Sequence, residues 1–332
     1  MARGWPIATL LLTLALSAPA RPAVAANIDP SHINSAEFTG GQPPHDSVSP
    51  LAVKLQVLLA RTHFSPGEID GKFGENAQKA LRAFAEAQQL PGGSKLTREV
   101  WAKLAADNPL ILMRYTITAK DVSGPFLGKL PAKLDDLKDL KALSYTSPSE
   151  ALAEKFHVSE GLLTELNPRQ HFDQAGAEIV VPDLASPALQ ADGIARLQVN
   201  KDRDAVTVFD KSNNLVAFYP ATVGSDEKPS PSGNLKVVSI TPNPTYRYNP
   251  NYHFKGVKSK TSFTIKPGPN NPVGTVWIQL NAEGYGIHGT PNPSKVSKAD
   301  SHGCVRLTNW DAEELAQLVK KGTPVDFVGG KG

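Results

Sequence analysis

A second cysteine is missing from this chain: Cys304 is the only one in 332 residues. No intramolecular disulfide can form. In an oxidising compartment, where cysteines usually pair, a lone one is either an inert buried residue or a working thiol. A block of like charge is missing too. The 35 Lys and Arg are interspersed with 32 Asp and Glu, for a net charge of +3 and a pI near 8.8, which argues against nucleic acid as a partner. Beyond the N-terminal stretch there is no apolar run near the roughly 20 residues that a spanning helix needs. No cysteine lies near the N-terminus to carry a lipid anchor. The mature protein is therefore expected to be soluble, with no integral membrane segment.

What is present begins with Arg3, an apolar stretch over residues 5–18, and the small residues Ala23-Val24-Ala25. This is the pattern of a secretory signal peptide. Residues 1–25 are expected to be cleaved off, with Ala18-Pro19-Ala20 as a second candidate cleavage site. Pro19 and Arg21 break the run before it reaches spanning length. The length exceeds what one core usually serves, so two or three domains are expected. The 28 prolines and 26 glycines agree with short elements and many connections.

Residues 26–47 are polar, rich in Pro, Gly, Ser and His, and aperiodic, and are expected to form a linker. From Ser49 the pattern turns helical. Ser49 is a candidate N-cap with Pro50 at the first helical position, and Leu51, Leu55, Leu58 and Leu59 share a face. A second helix is expected over 75–89, with Ala77, Ala80, Leu81, Phe84 and Ala87 at helical spacing, and a third over 97–106 around Val100, Trp101 and Leu104. Together they predict a small helical domain over 48–109. Its Gly67-Glu68-Ile69-Asp70-Gly71-Lys72-Phe73-Gly74 loop, with Val53-Lys54-Leu55-Gln56, resembles the three-helix peptidoglycan-binding module of many wall hydrolases. Ala77 and Ala85 depart from that family, which more often has Thr and Gln there. A helical spacer without ligand is the alternative.

Residues 111–184 open on the alternating Tyr115-Thr116-Ile117-Thr118. Two short helices around Leu152, Phe156, Leu162 and Leu166 follow, and Glu178-Ile179-Val180-Val181-Pro182 closes the segment as a strand. That βααβ order, with Asn167-Pro168 after the second helix, resembles a LysM module. The resemblance implies binding of N-acetylated glycan. The loop into the first helix lacks the family's Gly-Asp-Thr and carries an insertion over about 122–142.

After a linker at 185–193, residues 194–329 alternate with period two. Strands are expected at 197–199, 205–209 and 215–218, with Asn213-Asn214 as the turn between the last two, and at 235–240, 275–280 and 285–289. Thr308 and Asp311 predict a helix over 311–320, and 324–328 reads as a last strand. The fold class expected is multidomain α+β: a three-helix module, a LysM-like βααβ module, and a mostly β sandwich with one C-terminal helix.

A thiol reacts as its thiolate, so a catalytic cysteine needs a base beside it and partial access to solvent. His302 lies two positions before Cys304, where the turn need not let its ring reach the sulfur. His288, in Gly286-Ile287-His288-Gly289-Thr290 and 16 positions upstream, can approach from a separate strand. Gly303 permits a tight turn and close approach to backbone N–H groups, the natural oxyanion donors. Zinc ligation by Cys304, His302 and His288 lacks an evident fourth ligand, so no metal and no cofactor are expected.

Ser301-His302-Gly303-Cys304-Val305-Arg306-Leu307 preceded by His288 closely resembles the signature of the L,D-transpeptidase (YkuD-type) catalytic domain. Pro231-Ser232-Gly233, Thr241-Pro242-Asn243-Pro244-Thr245, the run from Pro267 to Gly274 and Asp311-Ala312-Glu313-Glu314-Leu315 extend the match. The resemblance implies Cys304 as nucleophile, His288 as general base and the Gly289 carbonyl as the group orienting the imidazole. His302 and Gly303 are expected with the catalytic residues, His302 either helping catalysis or only shaping the turn. Arg306, where many relatives have Asn, is expected to meet a substrate carboxylate, with Ser301, Tyr285 and Thr290 as further substrate contacts. Tyr246, Tyr248 and Phe254 are candidates for a lid.

The implied reaction is peptidoglycan cross-linking in the periplasm or cell-wall compartment. Cys304 would form a thioester with a tetrapeptide stem, release D-Ala and pass the acyl group to a second stem as a 3→3 cross-link. An outer-membrane lipoprotein lysine as acceptor would give an anchored lipoprotein, and water would make the same site an L,D-carboxypeptidase. The same residues are also compatible with a wall hydrolase, and the set of domains with a catalytically silent wall-binding scaffold. The family's thiol is a carbapenem target, so the same is expected here.

Overall fold

The computed structural model describes residue 1 and residues 28–106, 110–224, 229–252, 257–298 and 303–330. The expected signal peptide, apart from Met1, lies outside the described residues. Among the described residues no helix is long and apolar enough to cross a membrane.

Within the stretch expected as a linker, the described residues 28–36 fold back onto the helices in part. Helix α1 (Pro30–Asn34) is capped by Asp29 and buries Ile33 completely. The Asn34 side-chain oxygen accepts the N–H groups of Ile111 and Leu112 at 3.0 and 3.2 Å. Lys54, fully buried, donates to the carbonyls of Asn34 and Ala36 at 2.9 Å each. One helical turn shows no period in the sequence, which is why composition alone reads as linker. Helices α2 (Pro50–Arg61), α3 (Glu75–Ala87) and α4 (Arg98–Leu104) fall where the periodicity places them, and Ser49 and Thr97 cap α2 and α4 through their side-chain oxygens.

Strand β1 (Leu112–Thr116) leads through the short helices α5 (Ala119–Val122) and α6 (Leu134–Leu137) into α7 (Pro148–Lys155), α8 (Glu160–Leu166) and β2 (Glu178–Pro182). The inserted loop thus carries structure of its own. β1 and β2 pair antiparallel, from Leu112 opposite Pro182 to Thr116 opposite Glu178. Apolar residues of α1–α4 and of this β1–β2 unit, among them Ile33, Leu81, Leu163 and Val181, form one continuous buried cluster that reaches Phe218.

The rest of the chain forms β3 (Ile194–Asn200), β4 (Ala205–Asp210), β5 (Leu215–Pro220), β6 (Thr222–Val223), β7 (Gly233–Pro242), β8 (Tyr246–Tyr248), β9 (Phe263–Ile265), β10 (Val276–Leu280), β11 (Gly286–His288), β12 (Val305–Arg306), α9 (Asn309–Leu318) and β13 (Pro324–Val328). Among the described residues nine strands join in the order β5-β4-β3-β13-β7-β10-β11-β12-β6, and β8 pairs with β9 separately. Leu197, Val208, Ile278, Ile287 and Val325 from these strands meet Ala312 and Leu315 of α9 in a second buried cluster. Helix α9 starts two residues earlier than expected because Thr308, accepting from the Asp311 N–H at 3.1 Å, is its N-cap. Tyr248 is buried and stacked on Phe263 across the β8–β9 pair at 4.8 Å, so it packs within that hairpin. Phe254 lies outside the described residues.

The outer strand β5 is covered by the helical segment. Phe64 bridges Phe218, with Ser65 N–H donating to Phe218 O and Phe218 N–H to His63 O, each at 2.9 Å. An open sheet edge is thereby closed within the chain. On another side, His157 after α7 stacks face to face on Trp310 of α9, with ring centroids 4.9 Å apart. Desolvation there pushes the His157 pKa down to about 3. The folded state therefore binds fewer protons than the unfolded chain between that value and the ordinary 6.5, and stability is lost as pH falls through this window. Melting curves should show His157→Phe losing less stability than the wild type on acidification from pH about 7 to 4.

Candidate active site

The site is built on a parallel pairing. β11 lies antiparallel to β10 and parallel to β12, with Ile287 opposite Val305 and His288 opposite Arg306. Residues aligned across a ladder project to the same face, and alternate residues along a strand do likewise. His288 and Arg306 therefore share a face. Cys304 lies two positions before Arg306, in the bend that enters β12, and its charge is felt by Arg306.

His288 is only 4 % exposed and stacks on Trp277 at 5.5 Å. Its Nδ1 donates to the Gly289 carbonyl at 2.6 Å. Since a carbonyl only accepts, Nδ1 carries the proton and Nε2 is the ring's acceptor. Burial, reinforced by the Arg306 charge and opposed by the Gly289 hydrogen bond, pushes the His288 pKa down to about 3. The imidazole is thus neutral at pH 7, the form a general base requires.

Cys304 is partly exposed, and its Sγ donates to the Gly284 carbonyl at 3.6 Å. The partly buried Arg306 has its pKa lowered by desolvation and raised by Cys304, so a cation and the thiol sit within electrostatic reach. Gly303 has φ of 96°, a conformation that favours glycine. Its carbonyl accepts from the buried Ser230 hydroxyl at 2.7 Å, which fixes the orientation of the peptide leading into the nucleophile. Ser230 carries no sequence signal of its own beyond its place directly before Pro231-Ser232-Gly233.

The other expected site residues divide. Tyr285 sits in the turn between β10 and β11, its carbonyl accepting from Leu280 N–H at 3.1 Å. Thr290 is buried, and its hydroxyl accepts from Asn292 N–H at 3.3 Å. Ser301 and His302 lie outside the described residues. No group of three or more His, Cys, Asp or Glu that could hold a metal occurs among the described residues.

Behind His288 the backbone is crowded. A Cβ on Gly289 would come within 2.2 Å of the Asn309 side-chain oxygen, and one on Gly274 within 2.0 Å of the same atom. Gly289→Ala is therefore expected to lose about 1–3 kcal/mol of stability through overpacking, measurable by denaturant melts, and to slow turnover by displacing the carbonyl that holds Nδ1.

Residues 194–327 match the family model of the YkuD-type L,D-transpeptidase catalytic domain. YkuD of Bacillus licheniformis, named as an L,D-transpeptidase, is 31 % identical over 181 residues, which cover 54 % of this chain and 92 % of that protein. The chain belongs to the YkuD L,D-transpeptidase family. YkuD of Bacillus subtilis is likewise 31 % identical, over 53 % of this chain and 90 % of its own length. Among solved structures, L,D-transpeptidase 3 from Mycobacterium tuberculosis aligns with 47 % of this chain and 76 % of that one at 17 % identity, with a TM-score of 0.34. An L,D-transpeptidase catalytic domain accounts for the mostly β architecture with its C-terminal helix.

Proposed function

We propose that this L,D-transpeptidase cross-links peptidoglycan through a thioester on Cys304. The observation that carries the reading is the parallel β11–β12 register, which pairs neutral His288 with Arg306, two residues after Cys304. His288 Nε2 takes the thiol proton as Sγ attacks the carbonyl of the third residue of a tetrapeptide stem. The S–C bond forms, the C–N bond to D-Ala breaks, and the imidazolium returns its proton to the leaving amine. In the second half-reaction an amine of another stem attacks the thioester, its N–C bond forms, and the proton passes by way of His288 to the departing sulfur. The Cys304 N–H, on the peptide oriented by Ser230, is suited to stabilise the oxyanion of each tetrahedral intermediate. Arg306 supplies a cation for a substrate carboxylate.

In this proposal the signal peptide delivers the enzyme to the periplasm or cell-wall compartment. The three-helix and β1–β2 units hold it against the wall and raise the local substrate concentration. Incubation of the protein lacking residues 1–25 with purified disaccharide tetrapeptide, followed by mass spectrometry, tests the reaction. Loss of D-Ala together with a dimer supports it. Loss of D-Ala alone identifies water as acceptor and a carboxypeptidase, and a wild type without turnover refutes the enzyme.

A further inference from the structure

The β1–β2 unit reaches the support of the catalytic histidine through one side chain. Glu154, on α7, accepts a hydrogen bond from Asn309 Nδ2 at 2.9 Å and another from Tyr145 OH at 3.1 Å, both on Oε1. Asn309, the first residue of α9, is 1 % exposed. Its Nδ2 also donates to Pro269 O at 3.1 Å, and its Oδ1 accepts from Thr275 N–H at 3.2 Å. That amide is the group against which Gly289 packs so closely that no Cβ fits. Gly289 in turn holds His288 Nδ1. A continuous series of contacts thus runs from a carboxylate outside the catalytic domain to the imidazole.

The surrounding interface keeps this series in register. Leu143 N–H donates to Pro267 O and Asn270 N–H to Leu143 O, each at 2.9 Å. Asn270 Nδ2 donates to Glu150 Oε1 at 2.8 Å. Gly268 passes so near Leu143 that a Cβ would lie 2.2 Å from its carbonyl oxygen. The loop carrying Pro269 and Thr275 is therefore clamped by the β1–β2 unit on one side and by Asn309 on the other.

We infer that Glu154 is a positioning residue for the transpeptidase reaction, acting through Asn309 and Gly289 to fix the ring of His288. The β1–β2 unit is then part of what makes the catalytic domain competent, in addition to any hold it has on the wall. This rests on the function proposed above. Without an acceptor at position 154, the Asn309 amide keeps Pro269 and Thr275 as partners but is no longer pinned from the α7 side. It is then free to tilt, and the Gly289 carbonyl shifts with it. A misplacement of about 1 Å at a catalytic group can cost an enzyme up to about 10²-fold in rate. Burial pushes the Glu154 pKa up to about 7, consistent with a neutral acceptor serving the same purpose.

The test uses the full mature chain with Glu154→Ala, Glu154→Gln and Glu154→Met, the last keeping volume while removing the acceptor. For Ala and Met, kcat on the tetrapeptide should fall about tenfold or more with KM within about twofold, and Gln should restore the rate. The rate of Cys304 alkylation by iodoacetamide at pH about 7, which needs no substrate and is assisted by the His288 base, should fall in Ala and Met and not in Gln. If Ala destabilises the fold, Met carries the same comparison. Unchanged kcat and alkylation rate in a folded Ala or Met variant, or a loss confined to KM, overturns the inference. So does a Gln variant as impaired as Ala. A silent wild type would instead refute the proposed function, and the alkylation rates would still decide the role of Glu154.

Discussion

Cys304→Ala is expected to abolish D-Ala release and dimer formation together, by about four orders of magnitude or more, while leaving the melting temperature nearly unchanged. The side chain contributes little to packing, and in the proposed reaction it carries the covalent chemistry. Cys304 is partly exposed at the entry to β12, and its hydrogen bond to Gly284 O is a long one, so its removal opens no large cavity. Every covalent intermediate of the proposed reaction, by contrast, is a bond to its sulfur. Mass spectrometry after exposure to a carbapenem provides a second reading, with an adduct on the wild type and none on the variant. Residual turnover within tenfold of wild type would remove Cys304 from the mechanism.

His288→Ala is expected to lower kcat/KM by about 10²–10⁴. The ring is neutral at pH 7 because burial and Arg306 disfavour its charged form, and its Nδ1 proton is committed to Gly289 O, so Nε2 is the acceptor available for the thiol proton. The variant keeps the thiol and the oriented Gly303 carbonyl, so it should retain slow alkylation of Cys304 while losing turnover. That separates it from Cys304→Ala. A ring stacked on Trp277 and 4 % exposed also contributes to packing, and a loss of stability of about 2–4 kcal/mol, measured by denaturant unfolding, should accompany the kinetic effect.

Much of this is legible in the sequence. Alternation over residues 194–209 and 324–328 reports half-buried strands directly, and Ser49-Pro50 and Thr308 mark helix starts by their own chemistry. The candidate nucleophile and base are legible because a lone thiol between glycine and a strand, with a histidine on a neighbouring strand, is a compact local pattern. β6 and β12 are not, since two residues carry no period. Asn309, Ser230 and Glu154 stay hidden for a different reason. Each acts on a partner 73 or more positions away or through such a partner, and nothing in their own neighbourhoods announces it. Ile33 hides in the same way, a single apolar residue in a polar stretch whose burial depends on helices that follow it.

The parallel pairing of β11 with β12 has a consequence for how such a site can diversify. Antiparallel neighbours can be joined by a two-residue turn, whereas parallel ones need a crossover of about a dozen residues or more. Residues 289–304 connect the two strands, a span long enough to meet that minimum. Part of the span is pinned from α3, where Asn76 Nδ2 donates to Val296 O at 3.1 Å. Changes that keep the span above about a dozen residues are therefore expected to preserve the β11–β12 register, and shortening it further would unmake the pairing itself.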